Sequence, residues 1–230
     1  MPARRAVPAR AWVALLVAGL GVGLGQPWWT GARTAARYPV AAVDLAAAQA
    51  ALESLPVRGP DPDDDYVRER FGAAWADVDG NGCDTRNDVL ARDLTARSTD
   101  ATGCLVLFGV LDDPYAGGSV AFVRGPDSAD VQIDHVVALA DAWRTGARTW
   151  SLARRTAFAN DPANLLAVSG RANQDKGAGD ASQWLPPQAG YRCVYVLRQL
   201  RVKAAYGLWL TPDERAAIAA QLDRCVVAAP

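Results

Sequence analysis

The amino-acid sequence predicts an α+β protein tied by disulfides, and three observations carry that expectation. Apolar runs of strand length, separated by turn residues, occupy 104–133. Stretches with apolar residues at helical spacing stand on both sides of them. Four cysteines lie in a chain whose first residues have the pattern of an export signal, and an oxidising destination pairs them. The 230 residues carry 24 basic and 25 acidic side chains, a net charge of −1, and half of them are apolar. That balance fits one globular domain with a sizeable core, and it excludes a disordered chain or a polybasic coat for nucleic acid.

The elements follow in chain order. Arg4, Arg5 and Arg10 precede fifteen uncharged residues, 11–25, closed by Gln26 and Pro27. A basic stretch before a short apolar run is the pattern of a secretory signal. Fifteen residues fall short of the roughly 20 that a spanning helix needs, although counting on through Trp28 and Trp29 leaves an uncleaved anchor open. Residues 1–29 are therefore expected to be a signal peptide or N-terminal anchor. The protein is then secreted, or anchored with its folded part outside, and it touches a membrane only if the segment stays uncleaved. Residues 30–82 form an N-terminal extension, with an alanine-rich helix over 41–55 and an acidic Pro/Asp loop over 59–65. A helix is expected over 85–96, strands over 104–111 and 119–123 around the turn 112–118, and a short extended piece over 130–133. Val194, Leu197, Leu200 and Ala204 space a helix over 191–206. A last helix starts at Thr211-Pro212-Asp213-Glu214, with Thr as N-cap, Pro at N1 and Glu at N3, and runs to about Arg224.

Four cysteines allow three connectivities. The turn near Trp209 lies 16 residues after Cys193 and 16 before Cys225, so an antiparallel helical hairpin brings those two level. The spacing predicts Cys193–Cys225, which leaves Cys83–Cys104.

His135 is the chain's single histidine. That excludes an HExxH zinc site, a Cys2His2 finger and any two-histidine acid–base pair. Charge is distributed unevenly: 26–123 hold 8 basic and 15 acidic residues, whereas 124–203 hold 11 and 7. A basic window around the histidine suits a site that meets a phosphate ester. Three short pieces stand out in it. Asp134 and His135 sit side by side at a strand end, where extended neighbours point to opposite sides. Asn164 lies in a turn feeding the apolar run Leu165-Leu166, and Asn173 and Lys176 lie at what reads as the start of a helix.

This ordered series, DH then NL then NxxK, resembles the HNH (His-Asn-His) endonucleases, in particular the exported bacterial type related to the C-terminal nuclease domain of GmrSD-type restriction enzymes. The likeness runs from about Cys83 to Trp184 and takes in the Cys-Asp-Thr-Arg-Asn run at 83–87 and Trp-Leu-Pro-Pro at 184–187. It implies an α+β fold with a ββα-metal core, in a nuclease domain spanning 83–230 that ends in the helical hairpin. It also implies roles: Asp134 and Asn173 as metal ligands, His135 as the general base, Asn164 orienting the histidine and bracing its loop, and Lys176 at the phosphate. Arg86 is a second candidate for the phosphate. The chemistry is consistent with that division. Histidine, with an ordinary pKa of about 6.5, suits the activation of water. A carboxylate and an amide oxygen suit a hard ion, Mg²⁺ or Mn²⁺. The resemblance implies hydrolysis of nucleic acid, DNA rather than RNA, by a monomer.

Asp77, Asp79, Asn81 and Asp88 have the spacing of an EF-hand loop with its last acid shortened, which leaves a structural Ca²⁺ open beside a glycine-rich turn tied by Cys83. The competing function is accordingly a non-catalytic, calcium-stabilised extracellular binding domain that keeps the nuclease fold.

Overall fold

A computed structural model of the chain describes residues 38–228; the expected signal or anchor at 1–29 lies outside the described residues. The chain is α+β and carries two disulfides. Helix α1 (Ala42–Ser54) leads, and a single 3-10 turn, Arg68–Phe71, follows the acidic loop. Helix α2 (Thr85–Asp93) feeds an antiparallel sheet of β1 (Leu94–Thr99), β2 (Val106–Asp112) and β3 (Ser119–Val123), in the order β1-β2-β3. A second sheet pairs β4 (Val131–His135) with β5 (Leu165–Ser169), again antiparallel. The connection between them holds α3 (Leu139–Arg144) and α4 (Leu152–Ala159). Helix α5 (Gly170–Lys176) follows β5 directly, and α6 (Arg192–Tyr206) and α7 (Pro212–Leu222) close the chain. Among the described residues, no helix is long and apolar enough to cross a membrane.

Two expectations about elements are corrected. The helix expected over 85–96 stops at Asp93, because Leu94 to Thr99 pairs with β2 instead, with Leu94 opposite Leu111 and buried. The pairing is interrupted near Ala96, a non-glycine residue at φ +46. Asn173 and Lys176 lie inside and at the end of α5, not at its start. The helix begins at Gly170, where a Cβ would collide with the carbonyl oxygen of Ala129. Glycine allows α5 to lie close against the turn before β4.

The C-terminal hairpin is built as its caps require. Thr211 Oγ1 accepts from Glu214 N at 3.1 Å, and the Glu214 carboxylate accepts from Thr211 N at 3.4 Å. Cys193 and Cys225 are bonded across the hairpin, and Cys83 and Cys104 join the start of α2 to the start of β2. Leu52 of α1, Val196 and Leu200 of α6 and Ile218 of α7 share one core cluster.

The β4–β5 pair sits between two apolar clusters and is sorted by its period of two. Val131, Ile133, Leu165 and Ala167 face α2 and the three-stranded sheet, while Leu166 and Val168 belong to the cluster around α6. His135 has the parity of Ile133, and Asp134 the parity of Gln132 on the side of α5. The register, Asp134 opposite Leu166 and His135 opposite Leu165, places both at the end of the sheet.

Candidate active site

His135 is buried, and its Nε2 lies 2.8 Å from the carbonyl oxygen of Ala159, the last residue of α4. A carbonyl oxygen only accepts, so Nε2 carries the proton and Nδ1 keeps the lone pair. Burial pushes the imidazole pKa down to about 3, reinforced by the charges of Arg68 and Lys176 and opposed by the bond to Ala159. The ring is therefore neutral at physiological pH. The Trp75 ring lies nearly parallel to it, at 18°, with centroids 6.2 Å apart.

Asp134 is buried as well. Its Oδ1 accepts from Lys176 Nζ at 2.9 Å, and its Oδ2 accepts from the Tyr115 hydroxyl at 2.6 Å. Burial and the adjacent Asp134 charge hold the Tyr115 hydroxyl well above its ordinary pKa, so it stays a donor. Lys176 Nζ also donates to the His135 carbonyl at 2.8 Å, and the side chain is fully enclosed. The expected phosphate contact of Lys176 is not what the structure places there: the ammonium is enclosed and two of its three donors are taken by Asp134 and the His135 carbonyl. Arg86 is placed elsewhere too. Its guanidinium reaches toward the carbonyls of Ser128 and Val131 at 3.4 and 3.3 Å, bracing the turn into β4, and it does not line the cleft at His135.

Asn164 is fully buried and works on the backbone after the histidine rather than on the imidazole. Its Oδ1 accepts from Val137 N at 2.8 Å, its Nδ2 donates to Val137 O at 3.2 Å, and its own carbonyl accepts from Val136 N at 2.8 Å. Two arginines hold the turn that carries it: Arg92 and Arg198 both donate to the carbonyls of Pro162 and Leu165.

Asp134, His135 and Asn173 line one cleft together with Gln132, Tyr66 and Arg68. Asn173 Nδ2 donates to Gln132 Oε1 at 2.9 Å, which leaves Asn173 Oδ1 uncommitted by that bond. Each Asp134 oxygen has one protein donor and retains a second lone pair. Besides the His135 imidazole, this cleft offers the oxygen lone pairs of Asp134 and Asn173, a pair that fits a hard, magnesium-like ion. Lys176 offsets the carboxylate charge, so such an ion would be held weakly.

A second acidic group, Asp141, Asp180 and Glu214, has carboxylate oxygens within 4.8 Å of one another. Lys203 Nζ already takes the place of a cation there, 3.0 Å from Asp141 and 2.7 Å from Glu214. In the loop at 77–88, Asp77 accepts from the amides of Gly80 and Gly82 at 2.8 and 2.9 Å, and Asn81 Nδ2 donates to Asp88 at 3.2 Å. Its carboxylates are thus engaged by the loop's own donors.

Sequence reasoning missed Tyr115, the Ala159 carbonyl, Arg68 and Trp75. None carries a local signal, because each is brought to Asp134 or to His135 from a distant element.

The model of the family "GmrSD restriction endonucleases, C-terminal domain" matches residues 84–221. An uncharacterized secreted protein of Arthroderma benhamiae is 38% identical over 180 residues, covering 77% of this chain and 84% of the relative. No solved structure matches the chain.

Proposed function

Because the chain belongs to the family of GmrSD restriction endonuclease C-terminal domains, we propose that it is a metal-dependent endonuclease that hydrolyses phosphodiester bonds of nucleic acid, DNA rather than RNA, outside the cell. The extracellular assignment is supported by the two disulfides and by the secreted relative.

One observation carries the catalytic reading: His135 Nε2 is tied to the Ala159 carbonyl, which leaves Nδ1 as the ring's lone-pair nitrogen, and His135 lines one cleft with Asp134 and Asn173. Such a base accepts a proton from water without first losing its own. The bond to Ala159 fixes the ring plane and steadies the imidazolium as it forms. Asp134 and Asn173 would hold the divalent ion, Mg²⁺ or Mn²⁺. When bound, it supplies positive charge at the phosphoryl and leaving oxygens. Asn164 keeps the backbone after His135 in place, and the strand pair β4–β5 followed by α5 serves as the ββα core that presents the ligands.

Purified protein incubated with plasmid and Mg²⁺ or Mn²⁺ is expected to nick it. EDTA and His135→Ala are each expected to abolish nicking. Equal nicking by His135→Ala and the parent would sink the assignment.

A further inference from the structure

We propose that the cavity beside His135 receives one unpaired nucleobase of the substrate, with Trp75 as its stacking wall, the Asn160 amide as its hydrogen-bond acceptor and Arg68 at the adjoining phosphate. The inference rests on the nuclease reading and names its substrate as single-stranded or locally unpaired nucleic acid.

The cavity measures about 300 Å³, and Phe71, Leu139 and Ala159 make most of its wall apolar. That is near the lower bound of small-molecule sites, room for one base with its sugar and not for a duplex. Trp75 is half-buried on one side of it, and the ring offers a flat face beside the imidazole. Its backbone stands at φ +58, a region bulky residues rarely occupy, so the surrounding fold holds it there. The segment before it is pinned to the core. Phe71 is buried against Trp143 and Phe158, and Arg155 Nε donates to the Arg70 carbonyl at 2.6 Å. Gly72, at φ +84, passes Thr156 so closely that a Cβ would collide with its hydroxyl. The ring is thereby set in advance of any ligand.

Asn160 supplies an independent sign of a ligand. It is 1% exposed and lines the cavity. Its Nδ2 donates to Thr156 O at 2.9 Å, which fixes the other amide atom as the carbonyl oxygen. That oxygen is buried and has no hydrogen-bond partner among the described residues. An enclosed, unmet acceptor is costly, and a small turn of the amide toward the cavity would bring it to the N–H groups on a base's Watson–Crick edge. Pairing hides that edge, so the base that enters is unpaired.

Arg68 completes the site. It is exposed, its side chain makes no hydrogen bond or ion pair among the described residues, and it lines both this cavity and the cleft of Asp134 and Asn173. A cation at that junction faces the phosphate that joins the bound base to the bond under attack. It takes the role that Lys176, enclosed by Asp134, cannot. Arg68 and Trp75 both precede the matched residues 84–221, so the family match assigns them nothing.

The test is binding in EDTA, read by fluorescence anisotropy, of labelled hexathymidylate and of an abasic hexamer with the same phosphates. The parent is expected to bind the base-bearing oligomer about ten-fold more tightly, the scale of one base stacked on an aromatic ring. Trp75→Asn removes the ring while tolerating the left-handed backbone, and is expected to erase that preference. Trp75→Phe should restore most of it, and Arg68→Gln should weaken both oligomers alike. Equal binding of the two by the parent, binding of neither, or an unchanged preference in Trp75→Asn overturns the proposal. Base preference without hydrolysis in any metal would defeat the nuclease reading alone, whereas His135-dependent hydrolysis without base preference would defeat this inference alone.

Discussion

The ammonium of Lys176 lies 2.9 Å from Asp134 Oδ1 with neither side chain open to solvent, so the helix after β5 is bolted by an ion pair to the residue beside His135. Removing one member of a buried pair strands the other charge. Lys176→Met is expected to lower stability by about 3–5 kcal/mol in urea denaturation. The double variant Asp134→Asn with Lys176→Met should recover most of that loss, because no charge is then stranded. A Lys176→Met protein of parental stability that differs only in KM would instead restore the lysine to the phosphate.

Asn164 satisfies both backbone groups of Val137 from a fully buried position. Asn164→Ala leaves a buried donor and acceptor unmet, at a cost of about 3 kcal/mol for the two. The strand end that bears His135 loosens with them. Hydrolysis should therefore fall mainly in kcat, with KM little changed; a change confined to KM would contradict the bracing role.

The cluster around Lys203 gives the fold a pH dependence. Burial, aided by the neighbouring Asp141 and Asp180 charges, pushes the Glu214 carboxyl up to about 7 from an ordinary 4.5, against the pull of Lys203. Between those values the folded protein binds a proton that the unfolded chain does not. The resulting stabilisation is full below pH 4.5 and is lost as pH rises through 7. Glu214→Gln removes it, so the urea midpoint of the parent relative to this variant should decline from pH 4.5 to 7.5. A difference independent of pH would rule the linkage out.

Cys193–Cys225 closes a sequence separation of 32 residues across the helical hairpin. Replacing both cysteines by alanine should cost roughly 3–4 kcal/mol, read as a lower urea midpoint, by freeing the unfolded chain. A midpoint within error of the parent would show that the hairpin is held by its apolar face alone.

Much of this protein is legible in short stretches of its sequence. The capping box at Thr211, the helical spacing after Tyr191 and the level cysteines specify the closing hairpin, since each depends on residues within a few turns of one another. Asp134 beside His135, followed in order by Asn164 and Asn173, picks out residues that the fold does gather, three of them at one cleft and Asn164 on the backbone just after the histidine. The alternation of β4 then separates the Asp134 and His135 side chains by geometry that any strand obeys. The extent of α2 was less accessible, because Leu94 to Thr99 chooses a strand only through β2.

What only the tertiary structure decided is which polar atom meets which. Nothing local distinguishes Lys176, enclosed against Asp134, from Arg68, exposed at the cleft; a lysine and an arginine in sequence are simply two cations. The histidine's protonation is decided the same way, by the Ala159 carbonyl and by burial, both of which arrive from the 136–164 connection. Sequence determines the elements and the residue types because caps, periodicity and charge act over a few residues. Charge state and contact are properties of the solvent-excluded interior, and that interior exists only once α4, α5 and the 68–75 segment have packed against β4.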